Sequence, residues 1–337
     1  MSAPTSRDIA REAGVSQSTV SRALRRDPRV SEDTLLKVQE VADRLGYVTN
    51  RAARALKMRR SHTVGIVVAD LRNPYFLEVV DGLHDELHIA DYRTFLLTDR
   101  LDYGRGADLI DVLRGSVDGV IFASARSADS APVGLAQHGL PVVLINREVE
   151  GHELDRVLSD YATGGALAAR HLVELGHKRI GLITGPSKMA VFHDRERAFR
   201  AELERLGVPF DERLRREGVY THQVGSQWCA DLMRQTDPPT AIFAADDVVA
   251  FGALDAALQL GLRVPDDLSI IGYDDIEMAG WETFGLTTIR QPMTDMAREA
   301  ARILLQRMGG HGIPDEPQRR VYPASLVRRS STGPAPV

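Results

Sequence analysis

The sequence predicts an α/β protein in two parts, a small N-terminal helix-turn-helix domain and a larger core of two lobes, each a doubly wound parallel sheet. Three observations carry that reading. Two short helical segments flank a glycine within the first twenty-four residues, strand-like and helix-like segments alternate from Thr63 onward, and charge is divided between the two regions. Residues 1–60 hold thirteen Lys/Arg against seven Asp/Glu, a net of +6, whereas the remainder holds 29 against 40, a net of −11. A basic head on an acidic body implies that the head alone meets a polyanion.

The head is read from Arg7 to Leu24. Ile9, Ala10 and Ala13 place apolar atoms on one helical face. Gly14 supplies the residue at ease with positive φ where one helix stops and the next begins at a steep angle. Ser16 is placed to cap the second helix, whose Val20 and Leu24 point inward. That leaves Gln17, Ser18, Ser21 and Arg22 outward, and polar groups on the N-terminal part of such a helix suit base edges in a major groove. Gln17, Ser18 and Arg22 are therefore candidate base readers, with Ser16, Thr19, Ser21 and Lys37 assigned to phosphates or backbone capping.

Ser31-Glu32-Asp33 opens a third helix with a cap and with acids at its positive end. Its buried stripe is Val38, Val41, Ala42 and Leu45, and Gly46 ends it. Residues 50–57 read as a very short basic helix, and one of about eight residues needs a partner to persist in water. Arg59-Arg60-Ser61-His62 reads as a linker. The predicted divisions are thus 1–49, 50–62, a core over 63–330 and a loose Ser/Thr/Pro tail at 331–337.

In the core, β-rich runs at Thr63–Ala69, Tyr92–Thr98, Val117–Ala123 and Val142–Ile145 alternate with helical stretches such as Phe76–Ala90 and Gly106–Leu113. A second series has strands at Ile180–Thr184, Ala241–Ala244 and Leu268–Ile271, with helices near Arg195–Leu206 and Val248–Leu260. Such alternation means parallel sheets covered on both faces. The single cysteine, Cys229, excludes an internal disulfide and a thiolate metal cluster. Neither a signal peptide nor an apolar run of about twenty residues is present, so a cytoplasmic protein without membrane contact is expected.

The runs Asp8-Ile9-Ala10, Gly14-Val15-Ser16 and Thr19-Val20-Ser21-Arg22, with Gly46-Tyr47-Val48 and Asn50 to Lys57, resemble the LacI family of bacterial transcriptional regulators. Gly176-His177-Lys178-Arg179-Ile180-Gly181, Gly261 to Asp274 and Leu286-Thr287-Thr288-Ile289 extend the resemblance over essentially the whole chain. It implies a periplasmic-binding-protein-like core with three crossovers between its lobes. It further implies a repressor that binds a pseudo-palindromic stretch of double-stranded operator DNA as a homodimer, paired through the region around Phe76–Leu87 and through the second lobe's surface. In such a dimer two copies of the 50–57 helix would meet in the minor groove, with Leu56 as a wedge and Asn50 and Arg54 on nearby polar atoms.

Open parallel sheets bind ligands at the C-terminal ends of their strands. Tyr75 and Phe76, Arg147, Asp160, Tyr220, Asp246 and Asp274 all follow predicted strands, and aromatic planes with carboxylates and an arginine suit a polyhydroxylated ring. The resemblance adds Val191 and Arg195 and implies that a small-molecule effector, most readily a sugar or sugar derivative, is contacted by Tyr75 or Phe76 and by the other seven. The segment Ser187 to His193 is more apolar than in sugar- or purine-binding relatives, so the effector's identity is not carried over. No catalytic motif, cofactor or metal site is read: a glycine-rich phosphate loop, a Gly-x-Ser-x-Gly elbow and His-Glu-x-x-His are all missing. A non-DNA-binding solute receptor is the competing reading, and it would call for an export signal and no basic head.

Overall fold

A computed structural model describes residues 4–24, 27–47, 60–99, 106–123, 130–186, 190–310 and 316–336, with the side chains of 106–108 and 190–192 excepted. The chain divides into two compact units, residues 1–61 and 62–337. Asn50, Arg54 and Leu56, and with them the expected short helix, lie outside the described residues.

Among its described residues the first unit holds three helices, α1 (Ser6–Ala13), α2 (Gln17–Ala23) and α3 (Glu32–Arg44). At the start of α1 the Thr5 N–H and hydroxyl both donate to Asp8 Oδ2, at 3.0 and 2.7 Å. Gly14 ends it in the left-handed conformation, φ 65°. Ile9, Ala13, Val20, Ala23, Val38, Val41 and Ala42 form the core, with Val15, Leu24, Leu45 and Tyr47 packed against them. An ion pair from Arg44 to Glu12 at 2.6 Å links α3 to α1. At the start of α3 the Ser31 hydroxyl bonds the Thr34 hydroxyl at 2.9 Å, so the expected cap there engages a side chain and no backbone N–H.

Among its described residues the second unit holds two six-stranded sheets. The first lobe takes β1 (Thr63–Val68), α4 (Pro74–Ile89), β2 (Arg93–Thr98), α5 (Gly106–Leu113), β3 (Gly119–Phe122), α6 (Ser130–Gln137), β4 (Val142–Ile145) and β5 (Asp155–Ser159). The chain then crosses to α7 (Tyr161–Glu174), β6 (Ile180–Thr184), α8 (Ala190–Arg205), β7 (Arg215–Glu217), α9 (His222–Met233), β8 (Ala241–Ala244), α10 (Asp247–Gln259), β9 (Ser269–Asp274) and β10 (Thr287–Arg290). It returns through α11 (Met293–Gly309) and β11 (Arg319–Tyr322) before ending on β12 (Ser325–Val327). Strand orders are β11-β5-β4-β3-β1-β2 and β12-β10-β9-β8-β6-β7, with every pairing parallel except β10 with β12. Three crossovers therefore join the lobes, near residues 160, 291 and 323. Parallel strands buried on both faces explain the unbroken apolar runs of β1, β6 and β8.

Two expectations are corrected. Helix α8 begins at Ala190, five residues before the predicted start, because nothing between Pro186 and Arg195 breaks a helix once Ala190 is reached. The ending past Arg329 is no loose tail. Ser331 is buried, its hydroxyl donating to Ile270 O at 2.6 Å and accepting from the Thr287 N–H at 2.8 Å. Further on, Gly333 O lies 3.1 Å from His177 Nε2, and the Ala335 N–H donates to Leu175 O at 2.8 Å. Its Ser/Thr/Pro/Gly composition reads as loop, yet the polar groups of this stretch find partners in the second lobe, leaving little reason for it to detach. His171 and His177 are structural. Burial holds both below the ordinary histidine value, His171 at about 4, and His171 bonds Thr332 Oγ1 at 2.8 Å.

Among the described residues no helix is long and apolar enough to cross a membrane. No group of three or more His, Cys, Asp or Glu among them could hold a metal ion.

Candidate functional site

In the head, Ser16 caps α2 by accepting the Thr19 N–H at 3.1 Å, and its hydroxyl is shared with Ser18 Oγ at 2.7 Å and Thr19 Oγ1 at 2.8 Å. Gln17 donates Nε2 to Ser6 Oγ at 2.8 Å, so this expected base reader is tied to α1 within the free chain. Ser16, Gln17 and Ser18 are exposed, while Thr19, Ser21 and Arg22 are half-buried. Hydrogen bonds from Arg29, and then the charges of Arg29 and Arg22, hold the Asp27 carboxyl below its ordinary value. The first turn of α2 thus presents a row of hydroxyls and one amide, with a guanidinium one turn further on.

The second site is built where strands of both lobes end. Asn73 caps α4, accepting the Tyr75 N–H at 3.0 Å, and its amide donates across to Asp246 Oδ2 at 2.9 Å. Asp246 follows β8 and caps α10 through the Val248 N–H at 2.8 Å. Asn146 follows β4 in the left-handed conformation, φ 50°. Its Oδ1 accepts the Ser159 N–H at 2.8 Å and the Tyr161 hydroxyl at 2.7 Å. Its Nδ2 lies 2.7 Å from Tyr75 OH and 2.7 Å from Gln291 Oε1. Gln291 in turn donates Nε2 to Asp274 Oδ1 at 2.5 Å. One asparagine therefore connects β4, β5, α4 and two of the crossovers.

Arg195 enters from α8, 4% exposed. It donates Nη1 to Ala245 O at 2.9 Å, pairs with Asp274 Oδ1 at 3.5 Å, and lies 3.7 Å from the centroid of the Tyr273 ring. Burial opposes its charge, but Tyr273, Asp274 and Tyr220 hold it above the ordinary arginine value. Burial pushes the Asp274 carboxyl well up against the pull of Arg195, and the charges of Asp246 and Asp247 add to the rise. Asp246 is raised by burial too, opposed by the bond from Asn73. Arg147 is 7% exposed and donates Nη1 to Asn146 O at 2.6 Å, while its buried Nε has no hydrogen-bond partner.

Seven of the nine expected effector residues fall in or beside this cluster: Tyr75, Phe76, Arg147, Arg195, Tyr220, Asp246 and Asp274. Asp160 caps α7, its two oxygens accepting from the Thr163 N–H at 2.9 Å and hydroxyl at 2.7 Å. The Val191 side chain lies outside the described ones, although its backbone belongs to α8. Sequence reasoning passed over Asn73, Tyr161, Asp247, Tyr273 and Gln291 as site residues and assigned no role to Asn146. The strand-end rule that selected Asp246 and Asp274 would have found Asn146 and Gln291. Nothing local in the sequence signals Asp247, whose carboxylate accepts the Ile276 N–H at 3.0 Å and the Thr288 hydroxyl at 2.6 Å.

Two glycines open α7 to its neighbours. A Cβ on Gly164 would sit 2.2 Å from Tyr273 OH, and one on Gly165 would sit 2.3 Å from Arg195 O. Gly165→Ala must push α8 away from α7, which should cost about 1–3 kcal/mol by overpacking. Urea unfolding of the two chains checks this, and an unchanged midpoint contradicts the close approach.

Two family models match the chain: bacterial regulatory proteins, lacI family, over residues 5–50, and a periplasmic binding protein-like domain over residues 169–332. The HTH-type transcriptional repressor CytR of Escherichia coli K12 is 34% identical over 99% of this chain and 98% of its own length. Among solved structures, a transcriptional regulator CelR–cellobiose complex aligns with TM-score 0.74 and 33% identity over 97% of this chain and 99% of that one. The lac repressor dimer bound to operator and the anti-inducer ONPF aligns with TM-score 0.86 and 27% identity, over 98% of this chain and 100% of that one. With its head, its two-sheet core and 34% identity to such a repressor over nearly its whole length, the chain belongs to the LacI family of bacterial regulatory proteins.

Proposed function

We propose that the protein is a transcriptional repressor acting in the cytoplasm. As a homodimer it binds a pseudo-palindromic operator, and a small sugar-like effector held between the core lobes sets its DNA affinity. It does no chemistry on that ligand. The observation that carries the effector half is the buried cluster itself. Two arginines, two carboxylates and several tyrosine rings converge at the strand ends of both lobes. Guanidinium donors and carboxylate acceptors beside aromatic faces fit hydroxyls on a ring whose flat sides are apolar.

The test is a thermal-shift screen of the full chain against sugars, phosphosugars, nucleosides and cyclitols. A ligand that binds only the folded state raises the midpoint with concentration. The reading expects a hit whose shift is lost in Asp274→Asn, and a hit retained in that variant places the ligand elsewhere.

For the DNA half, the segment carrying Asn50, Arg54 and Leu56 is proposed to fold against its dimer mate in the minor groove, each copy supplying the partner that a short helix lacks. Amide exchange over 50–57 should be fast in the free protein and slow on operator DNA. Equal exchange in both states ends that idea.

A further inference from the structure

Asp274 leaves β9 at a corner the backbone does not favour. It and Asp275 are consecutive non-glycine residues with positive φ, 115° and 59°. Such backbone persists where the surroundings over-determine it. Here all three residues of the corner are held. Gln291 bonds Asp274, and Asp247 accepts the Ile276 N–H. Asp275, whose side chain is 5% exposed, lies between two guanidinium groups: Arg290 donates Nε to Oδ2 at 2.6 Å, and Arg329 Nη2 pairs with Oδ1 by charge at 2.6 Å, outside hydrogen-bond geometry.

Arg290 belongs to the same sheet, but Arg329 comes from the last nine residues of the chain. It is itself fixed, donating Nη1 to Leu286 O at 2.7 Å and its backbone N–H to Thr287 Oγ1 at 2.9 Å. Just beyond it, Ser330 and Ser331 donate their backbone N–H groups to Gly285 O at 2.9 and 3.0 Å, and a Cβ on Gly285 would sit 2.1 Å from Ser330 Oγ. The C-terminal segment is thereby locked to the loop between β9 and β10 at the point where Arg329 reaches across to Asp275.

We infer that Arg329, through its ion pair with Asp275, is a positioning residue of the inter-lobe site that sets the angle at which Asp274 is presented there. The inference rests on the reading of Asp274 as an effector acceptor. A side-chain acceptor is worth most when its own backbone cannot give, and supporting groups on rigid elements provide that. Losing Arg329 leaves a half-gripped carboxylate at a left-handed corner, and the corner can relax. The consequence is specific: the C-terminal segment tunes ligand affinity without belonging to the ligand pocket or to the DNA-binding head.

The experiment uses the full chain as parent, Arg329→Ala, Arg329→Lys and Arg328→Ala. The last removes a neighbouring surface arginine whose partner is Glu174, 3.3 Å away. Amide exchange over 272–277 is read without ligand. Affinity is then measured for the compound from the sugar, phosphosugar, nucleoside and cyclitol panel that binds the parent best, alongside operator affinity without ligand. Arg329→Ala should speed exchange at the corner and weaken the compound by about tenfold, the equivalent of one poorly aimed charged hydrogen bond. Arg329→Lys should recover part of both effects, and operator affinity should stay at the parent value in every variant. Arg328→Ala should behave as the parent throughout. Parent-like exchange at the corner in Arg329→Ala overturns the inference, as does parent-like affinity with a loosened corner. If no compound binds the parent, the effector reading fails and the exchange measurement alone decides whether Arg329 holds the corner.

Discussion

Arg195→Ala is expected to destabilise the core unit by about 2–5 kcal/mol, the usual cost of truncating a large buried side chain to alanine. The guanidinium is 4% exposed, touches Asp274 and the Tyr273 ring, and bonds a backbone carbonyl, so its removal empties that space and frees a buried acceptor. Asp274→Asn should behave in the opposite sense. Burial raises the Asp274 carboxyl well above its ordinary 3.8, so the folded chain keeps that proton to higher pH than the unfolded chain does. The favourable contribution is then full below the unfolded value and is lost as pH rises through the folded value. Asparagine does not titrate and can still accept from Gln291. The Asp274→Asn chain should therefore equal or exceed the parent in stability at neutral pH, with its advantage shrinking as pH falls toward 3.8. Urea midpoints of the three chains across that range decide the matter. A neutral-pH loss in Asp274→Asn as large as that in Arg195→Ala would show that the ionised carboxylate stabilises the cluster.

The second large effect lies in the head. Arg22 sits in the last turn of α2, half-buried, beyond the hydroxyl row of Ser16, Ser18 and Thr19. As a planar multi-donor it matches the two acceptors of guanine in a major groove. Arg22→Ala should cost about 1–3 kcal/mol at one position of each half-site and relax the preference there. Binding to a set of single-base operator variants reads this out. Uniform weakening on every sequence, with a shallower salt slope, would make Arg22 a phosphate contact. Gln17 is expected to give a smaller effect, because reading a base means exchanging its bond to Ser6 for one to DNA.

Much of this architecture was legible in the sequence because it rests on local signals. The Gly14 turn, the Ser16 cap and the apolar spacing of Ile9, Ala13 and Val20 are written within a few residues of each other, and they specify the head. The β-rich runs at Thr63, Val142, Ile180 and Ala241 fall where β1, β4, β6 and β8 form, since strands buried on both faces need nothing but apolar residues. What stayed hidden depends on pairs distant in the chain. Asn146 reads as an ordinary strand-end residue until Tyr75, Tyr161 and Gln291 surround it. Gly164 and Gly165 carry no local signal of their own, and their role shows only where Tyr273 and Arg195 need their space. The C-terminal stretch misled because its composition is that of a loop, while its partners at Ser269, Ile270 and Thr287 lie some sixty and forty residues upstream.

The central claim is that one protein couples a ligand between its lobes to DNA held by its head. Linkage requires that coupling to be reciprocal. The most direct measurement is operator affinity with and without the ligand found by screening, for the parent and for Asp274→Asn, at one fixed salt concentration because phosphate contacts make every value salt-dependent. The account predicts that the parent's affinity shifts with ligand, by about 5–150-fold for ordinary allosteric coupling, while Asp274→Asn binds operator within a few fold of the ligand-free parent and does not respond. A variant that responds as the parent does would contradict the account.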